Sequence, residues 1–183
     1  MDEINDVTKS IDWQALAQRL EKLNKDGALV DGVSVDRDSE KRAIEISLGE
    51  DDLQTAVDYC VSDKSGSQFA RSILQQLHPW PAMQRCYQHF LEGDAETRRS
   101  AIELLRVFAD HRVLPWLDEF LDDTDPLIQY LGTEILDQLV WSGAVKDKEC
   151  VDLLAKIREH PNAEVRAMAS LIWSPPHNRA YAY

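Results

Sequence analysis

Five histidines (His78, His89, His111, His160 and His177), three cysteines (Cys60, Cys86 and Cys150) and a dense set of carboxylates are the side chains of this chain with chemistry to offer. Cys86 and His89 stand three apart, so on a helix they share a face and could give a metal two ligands. No second pair stands ready to complete a tetrahedral set. Cys60 would act as a nucleophile only with a base or a helix N-terminus beside it to make the thiolate, and its sequence neighbours supply neither. The chain has no Gly-rich phosphate loop, no CxxC and no HExxH. These spacings predict no catalytic residue, no metal and no cofactor. The cysteines, each in an apolar helical setting, read as buried reduced thiols of a cytoplasmic protein. His111 and His160 fall at turns between helices, where a cationic or hydrogen-bonding side chain finishes a helix end.

Charge says more than any motif. The 183 residues carry 33 acids against 20 bases, a formal charge of −13. Residues 1–62 hold 15 acids and 7 bases, and residues 94–125 hold 9 and 4, so these two stretches carry nearly all of the excess. A nucleic-acid groove binder needs a basic footprint, and this chain would repel phosphate. An acidic field of this strength instead steers a basic protein partner into place. The expected contacts are Glu50, Asp51, Asp52, Asp118, Glu119, Asp122 and Asp123. Aromatic side chains dominate interface energetics when exposed, which adds Tyr130 and Trp141, with Tyr87 beside them. No stretch approaches the 18 consecutive apolar residues of a membrane span. The opening Met1-Asp2-Glu3-Ile4-Asn5-Asp6 has no basic-then-apolar leader pattern.

The elements that must position these residues follow from an internal repeat. Asp94, Asp125 and Asn162 are each followed at +4 by Arg98, Gln129 and Arg166, and at +7 by Ala101, Gly132 and Ala169. Large apolar residues stand at +10 and +11: Leu104 and Leu105, Ile135 and Leu136, Ile172 and Trp173. A degenerate copy starts at Asp63, with Ser67, Ala70, Ile73 and Leu74 in register. The leading Asp or Asn caps a helix, Pro126 suits a first helical position, and the small residue at +7 lets a neighbouring helix come close. Arg98 and Arg166 are expected to brace adjacent repeats through an acid or a carbonyl. An amphipathic segment precedes each such helix: Met83, Cys86 and Phe90; Leu114, Leu117 and Leu121; Val151, Leu154 and Ile157. The unit is therefore helix, turn, helix, and stacked units bury what one pair cannot.

The remainder is less regular. Trp13, Leu16, Leu20 and Leu23 predict a helix over about 11–25. Residues 29–35 stay open between loop and short strand. Ile44, Ile46 and Leu48 alternate like a strand, but the good helix formers around them favour a helix ending near Leu48. The longer spacing before Asn162 predicts an extra loop over 143–149. Pro175 stops the last helix, leaving an irregular tail over 174–183.

On the positions Asp94, Arg98, Ala101, Asp125, Arg166 and Ala169, the chain resembles the HEAT family of α-helical repeats in its short PBS-lyase-like form; Gln129 and Gly132 depart mildly. The resemblance covers roughly residues 50–173. It implies an all-α fold, a right-handed α-α superhelix of about four helix pairs behind an N-terminal helical cap (1–49). It specifies architecture rather than activity. Together with the negative charge, it implies a protein-binding module, of the kind found among small bacterial immunity proteins that neutralise a cognate toxin, possible nucleases included. Alternatives are a bilin-lyase-like or other small-ligand protein and a general assembly scaffold.

Overall fold

The apolar periodicity asks for helices, and the computed structural model of the protein is built from them. The structure describes residues 37–63 and 67–172, among which there is no strand. The expectations for a helix over 11–25, for residues 29–35 and for the tail lie outside the described residues. The chain divides into two compact units, Met1–Asp52 and Leu53–Tyr183.

In the first unit, α1 runs over Arg37–Leu48. The alternation of Ile44, Ile46 and Leu48 is thus overridden by the helix propensity of the Glu, Lys and Arg residues between Asp38 and Glu45. Gly49 takes φ +85°, a conformation open to glycine, and its N–H caps the Glu45 carbonyl at 3.0 Å. That turn sets up α2 (Glu50–Val61), which carries Glu50, Asp51 and Asp52 in its first turn. Carboxylates suit that place because the free N–H groups of a helix start attract negative charge.

The second unit continues with α3 (Ser67–Leu77), α4 (Trp80–Glu92), α5 (Ala95–Phe108), a 3-10 helix (His111–Trp116) and α6 (Leu117–Leu121). Then come α7 (Pro126–Trp141), a one-turn 3-10 segment (Asp147–Glu149), α8 (Val151–Glu159) and α9 (Ala163–Ile172). All three full repeats begin as expected. The carboxylate of Asp94 accepts the Thr97 N–H at 2.9 Å, Asp125 accepts from Leu127 at 3.0 Å, and the Asn162 amide oxygen accepts from Glu164 at 2.9 Å. Asp63 ends α2 with φ +46°; the positions it would cap lie outside the described residues.

Packing follows the repeat. Within each unit the first helix lies on the second, α4 on α5, α6 on α7 and α8 on α9, while the second helices pack in succession, α3 on α5, α5 on α7 and α7 on α9. The residues at +7, +10 and +11 meet at these contacts: Ala101, Leu104, Leu105, Gly132, Ile135, Leu136, Ala169 and Ile172 are all buried. The small residue at +7 has a measurable reason at Gly132. A Cβ there would stand 2.9 Å from Cβ of Phe120 on α6, an atom fixed to the backbone.

Two details differ from the sequence pattern. The first helix of the middle repeat is broken into a 3-10 turn and a short α-helix, because Pro115 lies inside it and has no N–H to give. Val151, counted among the apolar stripe of α8, is exposed; Cys150, one residue earlier, takes the buried position. The added segment before α8 folds back through Gly143 (φ +73°), with Val145 buried and its N–H on the Leu139 carbonyl at 3.1 Å.

Gly132→Val should cost about 2 kcal/mol of unfolding free energy, since it overpacks the α6–α7 contact and adds a β-branched residue to a helix. Urea denaturation followed by circular dichroism measures this; an unchanged midpoint would mean that the close approach is not needed.

Candidate docking surface

The turns between helices are joined by side chains at the +4 position. Arg98 donates from Nε to the Phe90 carbonyl at 3.0 Å, lies over the Phe90 ring at 5.0 Å, and pairs through Nη2 with Asp123 of the next repeat. Gln129 donates to the Asp123 carbonyl at 2.6 Å and accepts from the Asn162 amide at 2.9 Å, so it makes the same joint without charge. Arg166 donates to the carbonyls of His160 and Pro161. The bracing between repeats expected of Arg98 is therefore present, whereas Arg166 ties the turn within its own repeat and does not reach a neighbouring one.

Two histidines finish the same joints. His160 is buried, with Nε2 2.8 Å from the Leu121 carbonyl and Nδ1 3.1 Å from the Asn162 N–H. A carbonyl only accepts and a backbone N–H only donates, so the ring is neutral and carries its proton on Nε2. His78, at φ +52°, donates from Nδ1 to the Phe108 carbonyl at 2.9 Å. His111, by contrast, is exposed at the start of its 3-10 helix. A third link ties α2 to α4: Asp58 accepts from Arg85 Nε at 2.7 Å and Nη2 at 3.0 Å, and from His89 Nε2 at 2.6 Å. Burial raises the Asp58 pKa, but the hydrogen bonds and charges of Arg85 and His89 prevail and hold it below the ordinary carboxylate value.

Next to these joints a row of side chains crosses from α4 to α6. The Arg112 guanidinium, held by Asp110 and donating to the His78 carbonyl at 3.0 Å, lies 5.2 Å over the Trp80 ring. Trp80 stacks on Trp116 at 5.2 Å, and Trp116 stacks on Tyr87 at 4.4 Å with the rings 5° from parallel. The Tyr87 hydroxyl donates to Glu119 at 2.6 Å. Burial, then the Glu119 hydrogen bond and charge, push the phenol up to about 12. Beyond Glu119, Asp118 on α6 and Asp122 at its C-cap stand one turn apart, 64% and 67% exposed, and share the ammonium of Lys156 from α8 at 2.6 and 2.7 Å.

The expected contact residues are thus sorted by the fold. Asp118, Glu119 and Asp122 come together on α6. Asp123 does not join them: its side chain is 6% exposed, with one oxygen on Arg98 and the other accepting the Asp125 N–H at 2.8 Å. Glu50, Asp51 and Asp52 are exposed on the first turn of α2, in the first unit. Tyr130 is half-buried and donates to Glu134 at 3.2 Å within α7. Trp141 is 67% exposed at the end of α7. Core packing is what the sequence offers for Trp80 and Trp116, and both are half-buried against the apolar core, where they also stack on each other.

Cys60, Cys86 and Cys150 are buried, and burial raises the Cys60 and Cys86 thiols, against which Arg71 acts at Cys60. Cys60 also borders a polar cleft of about 520 Å³ with Asp63, Arg71, Asp94 and Glu103. Among the described residues no group of three or more His, Cys, Asp or Glu side chains is placed to hold a metal, and no helix is long and apolar enough to cross a membrane. Comparison with protein-family models, with curated proteins and with solved structures finds no match.

Asp110 gives this region a pH signature. Burial acts against its carboxylate, yet the Arg112 side chain, the Arg112 N–H and the charge of His111 hold its pKa below the ordinary value. A depressed folded-state pKa contributes stability that is present above the unfolded value of about 3.9 and is lost as pH falls through the folded one. Asp110→Asn should therefore cost about 1 kcal/mol near neutrality, with the two proteins converging in acid as pH falls through the depressed folded-state value. Chemical denaturation across that range checks both arms, and a pH-independent gap would assign the loss to packing.

Proposed function

We propose that this protein is a protein-binding α-helical repeat module of the HEAT type, a right-handed superhelix of helix pairs, that docks a basic partner through the face of α6. The observation that carries the reading is the presentation of Asp118 and Asp122. Both carboxylates project into water from a short helix whose position is set by buried Phe120, Leu117 and Leu121, beside the Tyr87–Glu119 hydrogen bond and the aromatic row behind it. A rigid carboxylate pair needs little ordering on binding, so its charge is available for steering and for specificity. The repeated pairing of first and second helices, with each pair packed on the next, supports the solenoid reading.

Within that class we infer an inhibitor: an immunity protein of the cytoplasm that neutralises a cognate toxin, with a nuclease cleft as the fitting target. Such a cleft is basic because it holds phosphate, and an array of fixed carboxylates is its electrostatic complement. A single stoichiometric basic partner should be retained by the tagged protein at about 150 mM salt and lost near 1 M, where exposed charges are screened within about 3 Å. Replacing Asp118, Glu119 and Asp122 together by Lys should weaken that complex by about tenfold or more, chiefly by slowing association. Unchanged affinity in the triple variant would remove α6 from the interface, and a partner harmless when expressed alone would remove the toxin.

A further inference from the structure

A polar cleft of about 520 Å³ opens within the second unit, bounded by the end of α2, by α3 and by the first half of α5. Its volume falls in the range of small-molecule sites, but the side chains around it are charged rather than apolar, which selects a charged ligand. Arg71 of α3 lines it, together with Asp63 just after α2, Asp94 at the cap of α5, and Glu96 and Glu103 on α5 itself. Ser100 lies between the two glutamates at helical spacing, so the three share one face of α5.

Arg71 is set apart by its lack of a carboxylate partner. Elsewhere in this unit Arg85, Arg98, Arg99, Arg106 and Arg112 each pair with an acid. Arg71 is half-buried and pairs with no carboxylate among the described residues, although four of them line the same cleft. A guanidinium has five N–H donors in a rigid fork and no acceptor, so its unmet demand is for an anion, best a carboxylate bound through two bonds. The four acids are not gathered to a point either. Among the described residues no three of them are placed to share a metal ion. Glu96 and Glu103 leave the axis of α5 about 10 Å apart, at about 1.5 Å per residue. Cys60 at the edge of the cleft donates to the Ser67 carbonyl at 3.4 Å, and burial raises its thiol, so nothing there makes the nucleophile of a reaction.

We propose that this cleft binds a basic α-amino acid, with the ligand carboxylate on Arg71 and its two positive centres on the acids of α5 and its approaches. The other charged ligands fit less well. A divalent cation needs oxygens converging on one point. A simple anion would meet four carboxylates against one guanidinium, and a polyamine would leave Arg71 unmet and facing a like charge. A molecule that carries both signs, with more positive than negative charge, matches what the walls offer. None of these residues belongs to the α6 face, so the site stands or falls independently of the docking reading.

The test is isothermal titration calorimetry on the full chain with three probes, in about 50 mM salt, where screening is modest. L-Arginine should bind saturably with a Kd of about 1 mM or tighter. Agmatine, the same molecule without its carboxylate, carries more positive charge and would bind better to a merely acidic surface; here it should bind about tenfold more weakly, because Arg71 loses its charged hydrogen bonds. L-Alanine, with one positive centre, should bind about threefold more weakly or less well still. Arg71→Gln should remove the advantage of L-arginine over agmatine, whereas Glu103→Gln should weaken both. Thermal melts show whether α3 stays seated, and Arg71→Lys, which keeps the charge without the fork, carries the test if Arg71→Gln loosens it. Absence of saturable L-arginine binding overturns the site. Agmatine binding as tightly as L-arginine, or an advantage that survives both Arg71 variants, overturns the role of Arg71, and equal binding of L-alanine overturns the choice of a basic ligand.

Discussion

A helix that ends inside a protein leaves its last carbonyls without partners, and the way these are satisfied organises the second unit. Phe90 near the end of α4 gives its carbonyl to Arg98, Phe108 at the end of α5 to His78, and Leu121 at the end of α6 to His160. Each donor comes from a different helix or turn, so satisfying a helix end also locks a joint. The Arg98 and His160 links bracket the middle repeat, with Asp123 and Asn162 as their next steps. The helices could slide as apolar cylinders without these links; with them, the register between repeats is set by directional bonds. Hydrophobic burial supplies the drive, and the capped turns choose one arrangement among the many that would bury as much.

That division explains what happens to the acids. A chain with 33 carboxylates would be expected to repel itself, but many of them are consumed in architecture. Asp94 and Asp125 cap helices, Asp110 fixes Arg112, Asp58 holds Arg85 and His89, and Asp123 sits under Arg98. Asp118 and Asp122, by contrast, stay well exposed at α6. Net charge alone could not separate the two populations, because adjacent residues such as Asp122 and Asp123 fall on opposite sides of the division.

The repeat was legible because its signal is periodic and its physics local. A cap, a small residue and an apolar pair at fixed spacing can be read without knowing what they touch, and each of Asp94, Asp125 and Asn162 caps the helix that follows it. The small residue at +7 was equally readable, and Gly132 against Phe120 shows why. Less legible were features that depend on residues far apart in sequence. Nothing near Asp123 announces that Arg98, 25 residues earlier, will claim it. The aromatic row was missed for the same reason, since Trp80, Tyr87 and Trp116 come from two repeats and only the stacking of helices makes them neighbours. Lys156 lies on an ordinary amphipathic helix, and its ion pairs with Asp118 and Asp122 exist only because α8 passes beside α6. Val151 illustrates a smaller loss: a periodic stripe read one residue out of phase, with Cys150 as the true anchor.

The parallel rings of Trp80, Trp116 and Tyr87 have an optical consequence. Chromophores held this close and in this order couple their electronic transitions, so this joint should give the near-ultraviolet dichroism a distinct exciton contribution. Trp80 belongs to α4 and Trp116 to the 3-10 turn of the following repeat, so that band reports on whether two repeats are seated on each other. Trp141, bathed in water at the end of α7, emits independently of it. The described residues therefore offer two built-in gauges, one for the seam between repeats and one for the exposed end of α7.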